Sequence, residues 1–139
     1  MFCCIFILSG LTLSGCSIGG QRYLKLNSYG EGYSDVQLDA NTFSVTFSGN
    51  AETTHDIVQT YLLYRCAEIT VQSGYDYFVV SDRNIQEKKA KLTLMPMGYT
   101  AVATIKVFKG EKPSDNPNAY NAKELMQRLE PQIKGNSNK

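Results

Sequence analysis

An α+β two-layer sandwich, with elements in the order ββαββα, is predicted by three features of the sequence. Residues 53–74, TTHDIVQTYLLYRCAEITVQSG, carry apolar side chains at helical spacing. Residues 42–48 alternate, with Phe43, Val45 and Phe47 on one side and Ser44 and Thr46 on the other. That is the pattern of a strand with one buried and one wet face. Residues 99–108 alternate again and put Ala101, Ala103, Ile105 and Val107 together, small side chains that suit a close helix crossing. The expectation is one mainly antiparallel sheet with two helices on one face. A chain of 139 residues favours one domain.

Residues 2–13 are apolar. Their length matches the hydrophobic region of a secretory signal and falls short of a bilayer span. Met1 runs into Phe2 with no Lys or Arg before the apolar run, which points to a start codon further upstream. Small residues Ser14 and Gly15 then lead to Cys16, so 1–15 reads as a signal peptide. Residues 17–32, SIGGQRYLKLNSYGEG, are Gly- and Ser-rich without a clean period. Residues 16–32 are therefore expected to form a flexible tether, in which 23–26 can add a short strand.

The domain is expected over 33–133. Its first strand is 33–38, with Val36 and Leu38 on one side, and Asp39-Ala40-Asn41 turns it into 42–48 as a hairpin. Gly49-Asn50 breaks that strand. In the central helix Thr53 can act as N-cap with Asp56 three positions on, and Asp56 suits the positive end of the helix dipole. Val58, Leu62 and Ile69 form its stripe, with Tyr61 and Cys66 at the margins. Gly74 suits a left-handed residue after the last turn. Residues 75–81 read as a strand, 82–86 as a polar turn, and 87–91 as a charge cluster followed by Leu92, Leu94 and Met95. Pro96 and Gly98 interrupt before the strand 99–108, and 110–118 is a loop. Asn121 can cap a second helix with Glu124 reaching back. Ala122, Leu125, Met126 and Leu129 are its stripe, Pro131 should end or kink it near Glu130, and 134–139 is expected as a disordered tail.

The net charge of +1 gives no pull toward nucleic acid. There is no Trp, and there are nine Tyr. Of the four cysteines, Cys3 and Cys4 lie in the apolar leader. If the chain is cut before Cys16 and that thiol is modified, Cys66 alone stays free and no intramolecular disulfide can form. Cys66 then reads as a small buried apolar residue. The one histidine, His55, lies about 16 Å from Cys66 along a helix, too far for a dyad. No H-E-x-x-H, CxxC, P-loop or G-x-S-x-G pattern is present. Asp35, Asp39, Asp56, Asp76 and Asp82 are scattered and suit turns. No enzyme, cofactor or metal is expected. Candidate binding residues are Tyr33, Tyr75, Tyr77 and Tyr99, if they share one surface fit for a protein or glycan. Arg65 falls inside the helix stripe. It either pairs with Glu68 at i+3 or a strand-end carbonyl, or binds an anion at the domain edge. Lys88, Lys89 and Lys91 form either a solvated loop or a contact for anionic head groups.

Leu13-Ser14-Gly15-Cys16 resembles the lipobox of bacterial lipoproteins. GYSDVQL (32–38), TFSVTFSGN (42–50), YLLYRCAE (61–68), GYDYF (74–78) and YNAKEL (120–125) resemble a family of small, largely uncharacterised proteobacterial envelope lipoproteins. The resemblance covers about residues 32–133. It implies a thioether-linked diacylglycerol on Cys16, N-acylation of that residue after cleavage, and stable anchoring by three acyl chains. Ser17 in place of Asp implies the inner leaflet of the outer membrane, facing the periplasm. Such relatives often carry Ala at the position of Cys66, which implies packing. No reaction is implied. The expected function is a membrane-anchored, non-enzymatic structural or binding module. Envelope-stress sensing and, further off, a small hydrolase are the alternatives.

Overall fold

The computed structural model describes residues 21–137. The elements are β1 (Gly32–Asp39), β2 (Thr42–Ser48), α1 (His55–Gln72), β3 (Tyr77–Lys89), β4 (Pro96–Phe108), β5 (Tyr120–Asn121) and α2 (Ala122–Ser137). The strands form one sheet in the order β1-β2-β4-β3-β5, and every pairing between them is antiparallel. α1 crosses β2, β4 and β3, α2 packs against α1 and β5, and both helices feed one core. This is the expected ββαββα order, with a two-residue strand added ahead of α2.

The alternation of β2 and β4 sets the core. Phe43, Val45 and Phe47 of β2 and Ala101, Ala103, Ile105 and Val107 of β4 are all buried. Phe47 pairs with Ala101 and Val45 with Ala103. α1 lays Val58, Tyr61, Leu62, Cys66 and Ala67 over them, each with no exposure. Burying a side chain such as Val58 or Leu62 is worth about 1.5–3 kcal/mol. Gly74 follows α1 at φ +83, as the sequence predicts.

Several boundaries differ. The N-cap of α1 is Thr54, whose Oγ1 accepts from the Ile57 N–H at 3.3 Å. Thr53 is instead buried, its hydroxyl donating to Asn50 Oδ1 at 2.7 Å. Ile69 is half-buried, and Thr70 lies fully buried beside the stripe, its hydroxyl held by the Cys66 carbonyl at 2.7 Å. Val36 and Leu38 face outward, because Tyr33, Asp35 and Gln37 share the side of Phe47, Val45 and Phe43. Residues 82–86 are not a turn: they continue β3 and pair with β4 from Thr104 to Thr100. α2 runs through Pro131 to Ser137, so helix replaces the expected tail over 134–137. Ile133, buried against the core, holds the turn that follows the proline.

Candidate functional site

The densest polar and aromatic assembly lies where residues 21–26 meet the domain. The Gln21 amide donates to the Ser48 carbonyl at 3.0 Å, and its Oε1 accepts the Asn50 N–H at 2.6 Å. Tyr61 donates its hydroxyl to the Gln21 carbonyl at 3.1 Å. Tyr23 stacks on Tyr33 with ring centroids 4.8 Å apart and meets Tyr61 and Tyr64 edge-on. Its hydroxyl donates to Glu68 Oε2 at 2.5 Å. Lys25 makes a single parallel bridge with Tyr33. The described part of the expected tether is therefore docked, not free.

Arg65 locks this assembly. Its Nε and Nη2 reach Asp35 Oδ1 at 2.7 and 2.6 Å, and its Nη1 reaches Glu68 Oε2 at 2.8 Å. The guanidinium carbon sits 4.3 Å from the Tyr33 ring centroid, a cation–π contact. Burial alone would lower the guanidinium pKa, but the bonds to Glu68 and Asp35 outweigh it and hold the charge more firmly than usual. Burial, then the bond to Glu68, pushes the Tyr23 phenol upward. One guanidinium and two carboxylates sum to −1, which disfavours an anion here. Pairing with Glu68 is the reading that fits, and Asp35 is the second partner.

The four candidate tyrosines do not share a surface. Tyr33 belongs to the assembly just described. Tyr99 lies on the core side of β4 and meets His55 edge-on, with ring centroids 5.5 Å apart. Tyr75 and Tyr77 are at the opposite end of the strands. There the Tyr75 hydroxyl donates to the Ala40 carbonyl at 3.3 Å, and Tyr77 pairs with Phe108 and Asn121. A Tyr-lined binding face is therefore excluded by the register. The chain offers a different flat surface: the uncovered side of the sheet. It presents Ser34, Thr46, Val102 and Asn84 in one row and Val36, Ser44, Thr104 and Asp82 in the next. A shallow groove of about 280 Å³ between β3 and β4 is lined by Asp82, Asn84, Gln86, Thr100, Val102 and Thr104. Two amides, two hydroxyls and the Asp82 carboxylate line it beside Val102 and the aliphatic parts of these side chains, so it can bond polar groups of a partner along two strands.

Sequence reading missed Gln21, Tyr23 and Asp35. Tyr23 was the available signal, a large aromatic in a Gly-rich stretch. Asp35 had one too: two residues from Tyr33, it must share its face.

The Cys66 thiol has no exposure, and burial pushes its pKa up to about 12. It is a packing residue, protonated at neutral pH. Labelling of Cys66 by a thiol reagent is expected to proceed only at the rate of global unfolding. Fast labelling in native buffer would show that α1 opens locally. Among the described residues no three His, Cys, Asp or Glu side chains gather as a metal site. No helix among them is long and apolar enough to cross a membrane. Cys16 lies outside the described residues.

No family model, no curated protein and no solved structure matches the chain.

Proposed function

We propose that the chain is a membrane-anchored lipoprotein of the bacterial envelope, lipidated at Cys16, and that its domain is a non-enzymatic binding module. The observation that carries this reading is the sequence Leu13-Ser14-Gly15-Cys16 at the end of an apolar run, with Gln21, only five positions on, bonded to Ser48 and Asn50 of the domain. A lipid there holds the domain against the bilayer with almost no slack. The module's partner, an envelope protein or a glycan, would meet the open hydroxyl-rich side of the sheet, which the fold leaves uncovered. An outer-membrane, periplasm-facing location follows from Ser17 under the sorting rule of enteric bacteria.

Intact-mass measurement of the membrane-extracted protein tests the anchor. The expected product begins at Cys16 and carries the added mass of three acyl chains. Cys16→Ser is expected to abolish that mass and leave the domain folded, since the buried core is built from residues between Phe43 and Ile133. Wild-type protein with an unmodified Cys16, or Cys16→Ser protein of mature size still held in membranes, would end this reading.

A further inference from the structure

The hairpin joining β3 and β4 carries apolar side chains that no core explains. Leu92 is 98% exposed, Leu94 70% and Met95 64%. Leu94 also sits at φ +54, in the left-handed region that disfavours aliphatic side chains and suits Asn or Gly. The turn is closed by backbone alone, through Leu94 N–H to Ala90 O at 2.9 Å and Ala90 N–H to Met95 O at 3.0 Å. The leucine therefore serves neither the turn nor the core. Basic side chains flank the tip: Lys89 and Lys91 are exposed, and Lys88 Nζ donates to Ser48 Oγ at 3.0 Å. With Glu87 included, 86–97 carries three Lys and one Glu, a net +2.

The hairpin leaves the domain at the same end as the chain enters it. Ser48, whose carbonyl accepts the Gln21 amide, pairs with Thr100, and Thr100 pairs with Gln86. From that row the ladder runs on to Lys89 and Pro96. The turn beyond lies on the order of 15 Å past the row, at about 3.3 Å per strand residue. The five residue steps from Cys16 to Gln21 span at most about 18 Å. A bilayer that holds Cys16 is thus within reach of the tip.

We propose that the β3–β4 hairpin tip is a membrane-contact element. Leu92, Leu94 and Met95 enter the acyl boundary of an anionic bilayer, and Lys89 and Lys91 meet its head groups. The choice of a bilayer as occupant rests on the anchor proposed above, on charge complementarity, and on the shared end of the domain.

The chain's lack of Trp makes the test direct. Leu92→Trp supplies a lone reporter at a fully solvated position in the full chain, extracted and reconstituted into phosphatidylglycerol–phosphatidylcholine vesicles. Blue-shifted emission and quenching by brominated lipid are expected. The same reporter placed by Val36→Trp on the open sheet should stay unquenched. Intact mass of each sample reports Cys16 independently. Lipidated protein with a water-exposed reporter at 92 overturns the hairpin proposal and leaves the anchor standing. Quenching at 92 in Cys16→Ser protein added to vesicles upholds the hairpin whatever the state of the anchor. In that protein, Lys89→Glu with Lys91→Glu is expected to weaken vesicle affinity by about fivefold per lysine or more, and unchanged affinity overturns the head-group contact. A reporter shielded by a protein fraction but not by vesicles overturns the proposal in favour of a protein partner.

Discussion

Gly98→Ala is expected to destabilise the domain by about 4 kcal/mol or more. Gly98 is buried at φ +90, a conformation that L side chains rarely adopt. An added Cβ would also fall on the Asn50 carbonyl, with the Asn50 carbon 2.7 Å away. That obstacle is backbone, so no rotamer change relieves it. Nor can the segment retreat easily, since the Gly49 N–H bonds the Tyr99 carbonyl at 2.8 Å and the Asn50 N–H holds Gln21. Gly110→Ala is the control: φ is +88 there, but a Cβ meets open space, so a loss of about 1 kcal/mol is expected from backbone strain alone. Urea midpoints of the two variants separate the effects. Equal losses would mean that the crossing at Asn50 is not rigid.

Arg65→Met is expected to cost about 2–4 kcal/mol. Methionine fills much of the space but leaves Asp35 and Glu68 facing each other without a cation. Removing one partner of a buried pair costs about 3–5 kcal/mol. The lower range is set by the carboxylates, whose side chains are about a fifth exposed and partly screened by water. Loss of the stack on Tyr33 adds to the cost. Because Glu68 also accepts from Tyr23, the fastening of residues 21–26 should loosen, and trypsin should cut after Arg22 and Lys25 sooner than elsewhere. Adding Glu68→Met to Arg65→Met should restore part of the loss, since it removes one stranded charge. Unchanged urea midpoint and unchanged tryptic pattern would show that the ion cluster does not hold the segment.

The elements that bury one face were legible from the residues. β2 and β4 alternate because α1 covers one of their faces, and α1 shows its stripe because it lies on them. Legibility failed where that cover stops. In the outer half of β3, Asp82, Arg83, Asn84 and Gln86 are all exposed, so no apolar period marks a strand whose backbone bonds to β4 define it. β1 misled for a related reason: its aliphatic residues Val36 and Leu38 face water, while Tyr33 and Asp35 face the helix. Asp35 is tolerated there only because Arg65 meets it, a pairing across 30 positions that local periodicity cannot reveal. Gly and Ser around Gln21 and Tyr23 signalled a loose linker, yet the side chains of Gln21 and Tyr23, with backbone bonds between residues 24–26 and Tyr33, dock it. The candidate tyrosines were read by type alone. Register, which local pattern does not give, sends Tyr99 and Tyr77 to opposite sides of the sheet.

β5 covers only Tyr77 and Phe78 of the thirteen residues in β3. From Asp82 onward, β3 has no strand partner on its outer side among the described residues. Such an unpaired rim can template a neighbouring chain, the route to runaway association. If the proposed anchor confines the chain to a two-dimensional layer, copies would meet far more often than free ones, which would sharpen that hazard. The irregular register between Val80 and Asp82, together with Asp82, Arg83, Glu87, Lys88 and Lys89 along the rim, makes it a poor template, so crowded copies can lie side by side without zipping together.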